Sequence, residues 1–398
     1  MDGAYSGYSK GQSKAQALRA GGKAPVREAL LDIRRHTLAL ADAYARALES
    51  KGMQVAYAPE FNPPLWELGH IGWFQDYWIS RNRQRALGVR CEPAHERGPS
   101  ALERADAWYD SGRVEHSSRW ALPLPDTQNT SAYLDATLAR TLELLDALGD
   151  DAGSDALYFY RLVALHEAMH VEAATYMATG LGVELAGTPA QTEPETAEGP
   201  AELELPTQIF RLGAAGDGFA FDNELGPHDV ALGAFKIDAR PVSLSRFLGF
   251  VEAKGYEQRR WWSDAGWEWL RSQGRPQRDV RDASQAAWPA VHLTAYEADA
   301  WCRWAGRRLP TEAEWECAAL TAPGFIWGSV WEWTASSFQP YPGFAAHPYR
   351  DYSQPWFGTR RVLRGSSQAS SPWLAHPRYR NFFEPHRSDI FAGFRSCA

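Results

Sequence analysis

The sequence predicts an α+β protein with a helical N-terminal domain and a C-terminal domain that has little regular secondary structure. Up to residue 181, apolar residues recur at three- and four-residue spacing, as they do on one face of a helix. Beyond residue 206 the pattern changes to short apolar runs between Gly, Pro and Asp turns, together with most of the 18 tryptophans. At 398 residues the chain is also too long for one ordinary hydrophobic core, so two domains are expected.

Four amphipathic segments predict an antiparallel helical bundle at 25–186, after a flexible lead-in at 1–24. Pro63 and Pro64 favour the start of the second helix because proline is tolerated in a first turn, and Gly180 is typical of a helix end. Helices joined by polar connections pack as antiparallel neighbours. The four predicted helices cover 26–51, 65–85, 130–148 and 156–181.

An acidic, proline-containing run at 187–206 predicts a linker between the two domains, because its low hydrophobicity cannot form a core. The second domain, 207–398, starts with a predicted strand at 208–212. Further along, Thr294 is a predicted N-cap for an amphipathic helix at 295–305.

The composition excludes several classes of protein. A formal net charge of −8 argues against nucleic acid as a partner, since phosphate binding requires a basic face. No run of about 18 apolar residues occurs, so no membrane span is expected. Residues 1–23 lack the apolar core of a signal peptide. The four cysteines form no C-x-x-C pair, which favours free thiols in a reducing cytoplasm.

Two histidines one helical turn apart are the strongest sign of chemistry. His166 and His170 lie on the same face of the fourth predicted helix, so both imidazoles can bind one metal ion. His70, among apolar residues of the second helix, is the best third ligand, although a core histidine with a satisfied hydrogen bond is the alternative. Glu172 lies about 200° around the helix from His170, which argues against a carboxylate ligand. Three histidines leave open positions on octahedral iron, or one position on zinc.

The same stretch matches the H-E-x-x-H pattern of zinc peptidases, in which Glu167 would be the general base. This alternative needs a third ligand downstream. The metzincin pattern requires Gly at 173 and His at 176, where this chain has Ala173 and Tyr176. A glutamate ligand would have to come from Glu184 or the linker, so the peptidase is the less favoured prediction.

Several C-terminal motifs resemble the formylglycine-generating-enzyme (sulfatase-modifying factor) domain, a C-type-lectin-like fold. They are 307–316 (RRLPTEAEWE), 330–334 (VWEWT), Arg364-Gly365 and 391–395 (FAGFR). Most of these residues are expected to hold an irregular fold together. Combined with the histidines of the bundle, the arrangement is similar to the ergothioneine-type sulfoxide synthases over about 25–398, and most similar to their selenium-using relatives, the selenoneine synthases.

This resemblance implies a DinB-like bundle that supplies three histidines to a non-haem iron(II). His70, His166 and His170 match the iron ligands. Oxygen would then drive attachment of sulfur or selenium to C2 of the imidazole of hercynine (trimethylhistidine). The implied partners are therefore hercynine, O2 and a selenosugar or thiol donor.

The resemblance also implies roles for residues of the second domain. Tyr349 matches the catalytic proton or hydrogen donor, and Tyr352 would help to bind hercynine. Asn381 would contact the carboxylate region of hercynine, and Phe382 could stack on its trimethylammonium group. Arg387 could meet an anionic part of either substrate. For the two tyrosines, packing is the alternative role.

Three departures from the family pattern bear on the donor. Phe383 stands where synthases that use γ-glutamylcysteine have an aspartate, and Met169 stands where they have a glutamine near hercynine. The run 364–368 (RGSSQ) departs from the usual R-G-G-S-W. Arg81 and Arg85 could face the donor pocket, or could form a solvated helix end. These departures predict a selenosugar donor.

The predicted activity is thus oxygen-dependent formation of a C–Se bond on hercynine. Within the family, C–S bond formation with cysteine or γ-glutamylcysteine is the alternative. Outside the family, the alternatives are the zinc peptidase and a non-catalytic binding module whose metal is structural or absent.

Overall fold

The computed structural model describes residues 6–185, 200–216, 218–273 and 285–398, with side chains from Ser13 onward. Helices dominate up to Gly180, and short strands mixed with helices follow from Glu202. This order confirms the predicted α+β class. No helix in the described part of the chain is long and apolar enough to cross a membrane.

The N-terminal domain is built on four long helices that correspond to the four predicted segments. The helices are α1 Ser6–Ala20, α2 Lys23–Ala47, α3 Pro64–Gln75, α4 Ala105–Tyr109, α5 Thr127–Asp146 and α6 Ser154–Gly180. α2 packs along α6, and α3 lies between α5 and α6. Pro64 occupies the first turn of α3, and the side chain of Asp126 caps α5 by accepting a hydrogen bond from the Asn129 N–H (2.8 Å).

The helix that the sequence predicts at 65–85 is shorter in the structure, where α3 ends at Gln75. α3 continues from Asp76 to Ser80 as a π-helical turn, and the chain leaves the helix at Arg81. The Arg81 guanidinium donates to both carboxylate oxygens of Asp106 (2.7 Å each), and its Nε donates to the Gly98 carbonyl. This long-range ion pair replaces further helical turns.

The flexible lead-in predicted at 1–24 is wrong for residues 6–20, which form α1. Ala15 and Leu18 are fully buried. Arg19 donates two hydrogen bonds to Glu224 of the second domain (2.7 and 2.9 Å). The Gly/Ser/Lys-rich composition of this segment does not indicate these contacts, because the partner residues lie far along the chain. Residues 1–5 lie outside the described residues.

The second domain holds three small sheets and four helices in its described part. Its elements are β1 Glu202–Leu205, β2 Gln208–Leu212, β3 His228–Leu232, β4 Phe235–Asp238, α7 Leu244–Glu252, α8 Asp264–Gln273, α9 Ala295–Trp304, α10 Glu312–Thr321, β5 Trp331–Ser337, β6 Arg361–Gly365, β7 Asn381–Phe383 and β8 Ala392–Gly393. β1 pairs with β4 and β2 with β3, both antiparallel, while β7-β6-β5-β8 form a four-stranded sheet in which β5 and β8 are parallel.

The predictions for this domain hold in part. The strand at 208–212 and the Thr294-capped helix are confirmed, and Thr294 and Glu297 form a reciprocal capping box. Most of the predicted linker, 187–206, lies outside the described residues, but β1 begins within it at Glu202. The C-terminal end of the predicted linker is a strand because it pairs with β4. Local composition cannot indicate this pairing.

Buried ion pairs hold the irregular domain together. Arg364 pairs with Glu316, Arg395 with Glu332 and Arg380 with Glu312, all with little or no solvent exposure. Such pairs stabilise a fold only when their geometry and further hydrogen bonds offset the cost of desolvation. Most of these residues belong to the C-terminal motifs, which therefore serve the scaffold. The four cysteines, Cys91, Cys302, Cys317 and Cys397, are free and buried, as predicted.

Candidate metal centre

Three histidines converge between α3 and α6. His166 and His170 lie one turn apart on α6, and His70 faces them from α3. One ring nitrogen from each lies within 4.8 Å of the other two, and the Nε2 atoms of His166 and His170 are 3.2 Å apart. Phe74 of α3 stacks on the His166 ring at a centroid distance of 3.6 Å and fixes its plane. The structure thus brings together the three predicted ligands.

The outer nitrogens of two histidines are held by acceptors, which directs their Nε2 atoms inward. His70 Nδ1 hydrogen-bonds the Tyr109 carbonyl (2.8 Å), and His170 Nδ1 contacts Glu67 Oε2. Burial lowers the pKa of His70 to about 3 and the pKa of His166 well below its usual value. Low pKa values leave His70 and His166 neutral at neutral pH, and three converging imidazole nitrogens are a donor set suited to a divalent metal, so these residues fit a metal ion.

Glu67 contacts one of the three histidines and was missed by the sequence analysis. Burial alone would raise the pKa of Glu67, but His170 beside it lowers this pKa to about 2. The carboxylate also accepts a hydrogen bond from the Asn62 amide (2.5 Å). A signal was present, because Glu67 precedes His70 by three residues and so lies on the same face of α3.

Two glutamates of α6 are bonded to partners other than the three histidines. Glu167 accepts hydrogen bonds from Arg34 (2.7 and 2.9 Å) and Thr37 (2.7 Å) in the bundle core. It is therefore not placed as the general base of a zinc peptidase. Glu172 accepts from Trp331, Ser367 and Ser370 of the second domain at 2.5–2.8 Å. This network joins the two domains next to the histidines.

A cavity of about 200 Å³ opens between the domains beside His170. Met169, Asn381 and Phe383, three of the predicted substrate-binding residues, line this cavity. Tyr352 is connected to it indirectly, since its hydroxyl donates to the Tyr379 hydroxyl (3.0 Å), which in turn contacts the Met169 sulfur (3.2 Å). We call this space the interdomain cavity.

Tyr349 lies near His166 and does not line the interdomain cavity. Its ring packs edge-on against Phe74 (4.9 Å) and lies 6.0 Å from the His166 ring, and burial raises its pKa. Tyr349 lines a second cavity of about 250 Å³ together with Phe74 and Asp110. No described histidine lines this second cavity, but Phe74 and Tyr349, which do line it, lie against the His166 ring.

The structure does not bring every predicted residue to these cavities. Phe382 stacks on Phe338 (4.0 Å) because alternate residues of β7 face opposite sides, so it does not line the interdomain cavity. Arg81 is committed to Asp106 and lines neither cavity, and Arg85, beside Tyr160, also lines neither. Neither arginine lines one of these two cavities, and their place at a donor pocket stays a prediction.

Arg387 sits at the edge of the interdomain cavity. Its guanidinium lies over the Phe383 ring (5.1 Å) and the Tyr176 ring (6.0 Å) and pairs with Asp389. Burial alone would lower the pKa of Arg387, but the hydrogen bond to Asp389 and the acidic groups around the guanidinium together raise it. The side chain is cationic and already has one carboxylate partner.

Comparison with known proteins identifies both domains. Residues 22–174 match the DinB superfamily, and residues 188–327 and 325–398 match the sulfatase-modifying factor enzyme 1-like domain. A hercynine oxygenase of Mycolicibacterium thermoresistibile is 31% identical over 94% of this chain and 94% of its own length. The chain belongs to the hercynine oxygenase family. A second member, from Mycobacterium tuberculosis, is 32% identical over 85% of this chain and 91% of its own length.

Membership of the hercynine oxygenase family confirms the DinB-like bundle and the domain of the formylglycine-generating-enzyme type. The formylglycine-generating enzyme of Streptomyces coelicolor is 29% identical over 52% of this chain and 93% of its own length. As a hercynine oxygenase family member, the protein is an oxygen-dependent enzyme with small-molecule substrates, and the family implies a metal cofactor. His70, His166 and His170 form the described group that could hold this metal.

Proposed function

We propose that this protein is a non-haem iron(II) enzyme that uses O2 to form a C–Se bond at C2 of the hercynine imidazole, with a selenosugar as donor. The observation that carries this proposal is the three-histidine cluster next to the domain boundary, with the interdomain cavity beside His170 and the Tyr349 ring 6.0 Å from the His166 ring. Such a cluster places one metal next to a cavity that can hold a substrate.

The proposed reaction consumes one molecule of O2. Hercynine loses its C2–H hydrogen and the donor loses its Se–H hydrogen, while one C–Se bond forms. One oxygen atom of O2 is added to selenium as a selenoxide, and the other leaves as water with the two hydrogens. The four electrons that hercynine and the donor give up are those that O2 accepts. A sulfur donor balances in the same way and yields a sulfoxide.

His70, His166 and His170 would hold the iron, and two of these ligands are already oriented by Tyr109 and Glu67. An iron(II) held by these three residues would supply the redox chemistry that O2 activation needs, which zinc, having no redox chemistry, would not supply. This difference supports iron as the metal of an oxygen-dependent enzyme.

Tyr349 would hold the proton that the reaction moves. Because burial raises its pKa, the phenol stays protonated at neutral pH and can donate to a reacting atom near His166. Phe74 packs against the rings of His166 and Tyr349 and keeps the Tyr349 phenol close to His166.

The selenosugar is supported by the wall of the interdomain cavity. Phe383 presents an apolar ring there, where family members that use γ-glutamylcysteine resemble this strand but carry an aspartate. The ammonium group of an amino-acid donor would find no carboxylate at that position, whereas neutral hydroxyls do not need one. Cysteine and γ-glutamylcysteine are the alternative donors.

One assay separates these donors. The full-length enzyme is incubated with iron(II), O2 and hercynine, and separately with a selenosugar, cysteine or γ-glutamylcysteine, and products are followed by mass spectrometry. We expect a hercynine–selenium product from the selenosugar. A product with thiol donors alone would overturn the selenium assignment, and no product with any donor would overturn the proposed reaction.

A further inference from the structure

We propose that Asp110 and Asp351 form a proton relay that reprotonates the Tyr349 phenol from solvent in each turnover. The two aspartates come from different domains, Asp110 from the end of α4 and Asp351 from the second domain. Both line the second cavity together with Tyr349. This inference rests on the proposed function, because it takes Tyr349 as the group that gives up a proton in the reaction.

The Tyr349 hydroxyl has access to water only through the second cavity in the described part of the chain. Its ring packs against Phe74, Trp78 and His166, and no described side chain or backbone group hydrogen-bonds the hydroxyl. The second cavity holds about 250 Å³, which is room for several water molecules at about 30 Å³ each. A phenolate left by proton transfer would therefore be reprotonated from this cavity.

The two carboxylates of the proposed relay approach each other at Gly112. A Cβ atom on Gly112 would lie 3.1 Å from Asp351 Oδ2 and 3.4 Å from Asp110 Oδ1, so both carboxylates border the same small space. The Gly112 N–H also donates to Asp110 Oδ1 (3.0 Å). Neighbouring carboxylates raise each other's affinity for a proton, because two negative charges at short range repel.

The groups around Asp110 favour its protonated form. Burial raises the pKa of Asp110 above its usual value, and the carboxylates of Asp106 and Asp351 raise this pKa further. The Gly112 N–H and the Arg113 guanidinium, 3.4 Å from the carboxylate, lower the pKa without reversing the rise. An acid with a raised pKa is a better proton donor near neutral pH than an ordinary aspartate, because more of it is protonated.

The other ionisable side chains of the second cavity are poorly suited to pass a proton. They include Tyr77 of α3 and Arg350. At neutral pH a phenol ordinarily keeps its proton and a guanidinium keeps its charge.

Solvent exposure sets the direction of the relay. Asp351 is exposed, Asp110 is half-buried, and Tyr349 packs against the hydrophobic core. A proton from solvent thus enters at Asp351, passes to Asp110 and reaches Tyr349 through the water of the second cavity.

The relay leaves the balance of the reaction unchanged. Tyr349 supplies one proton to the water molecule that forms, and Asp110 returns one proton to the phenolate. Solvent then reprotonates the aspartates, while one of the hydrogens lost by hercynine and the donor leaves to solvent as a proton. No electron passes through the relay.

Steady-state kinetics of the full-length iron(II) enzyme test the relay, with hercynine, O2 and whichever donor gives product. We expect the Asp110→Asn, Asp351→Asn double variant to lower kcat about tenfold or more, with iron affinity and the KM of hercynine within about twofold of the parent. Each single variant should lose less, because the remaining carboxyl still carries a proton. Ser111→Ala is the matched control, since Ser111 lines the same cavity without an acid, and it should keep the parental kcat.

Chemical rescue separates a relay from a structural role. Acetic acid is small enough to enter the second cavity and take the place of the lost carboxyls. In the Asp110→Ala, Asp351→Ala double variant, acetate should raise kcat about fivefold or more, and it should leave the parent and Tyr349→Phe unchanged. A double variant that keeps the parental kcat, or whose loss acetate does not restore, would overturn the relay.

The metal-free protein gives a readout that does not depend on turnover. We expect the pKa of Asp110, measured by NMR of its carboxyl carbon, to fall in the Asp351→Asn variant, because a neighbouring negative charge is removed. An unchanged pKa would refute the pairing of the two carboxylates. A parent enzyme that forms no product with any donor overturns the proposed function, whereas a productive parent with an unaffected double variant overturns the relay alone.

Discussion

Replacing Glu67 with glutamine is expected to weaken iron(II) binding by about 10- to 100-fold, although Glu67 is not one of the proposed ligands. In the structure, the buried Glu67 carboxylate accepts from His170 Nδ1. This contact keeps the proton on Nδ1 and the lone pair on Nε2. A neutral amide is a weaker acceptor, and the expected loss corresponds to about 1.4–2.7 kcal/mol of binding free energy.

The assay is an anaerobic iron(II) titration of the full-length protein in competition with a chromogenic chelator. Asn62→Ala is the control, since it removes the other partner of Glu67 and leaves the contact with His170 in place. We expect this control to bind iron within about threefold of the parent. If Glu67→Gln binds iron as tightly as the parent while His170→Ala does not, the carboxylate does not orient the ligand.

Three further outcomes are expected. His166→Ala should lose tight iron binding in the same titration, and parental affinity would refute the metal centre. Tyr349→Phe should lower the rate of product formation about 100-fold or more with iron affinity unchanged, as measured by mass spectrometry and chelator competition. Burial lowers the pKa of His347 to about 4, so an unfolded chain, with a pKa near 6.5, takes up a proton first as the pH falls. The free energy of unfolding that His347 contributes above pH 6.5 is therefore lost as the pH falls towards 4, by at most about 3 kcal/mol. Denaturant titrations at several pH values measure this loss, and we expect the His347→Gln variant to lose correspondingly less over the same range.

The helical half of the molecule was largely predictable from the sequence. The four long helices follow from apolar spacing, Pro64 and glycine stops, all of which are local signals. The pairing of His166 with His170 follows from helical geometry alone, because i and i+4 share a face. His70 could be proposed only as an imidazole without an evident partner in an apolar stretch.

Side-chain partners distant in sequence were not predictable. Arg81 was expected at a donor pocket, and its ion pair with Asp106 depends on how the chain returns after the π-helical turn. Phe382 was expected to meet the substrate, but the register of β7 in its sheet directs Asn381 and Phe383 into the cavity instead. A shift of one residue in a strand exchanges its two faces, and no local pattern sets this register.

The sequence by itself determined the α+β class, the long helices of the bundle and the three histidines as candidate metal ligands. It could do so because helical periodicity depends on the spacing of neighbouring residues. Only the tertiary structure decided what surrounds these histidines. It placed Glu67 behind His170, anchored α1 through Arg19 and Glu224, and set Glu172 among the aromatic rings of the second domain. Such contacts join residues that are often more than 100 positions apart, as Glu172 and Trp331 are, and depend on packing that no single segment specifies.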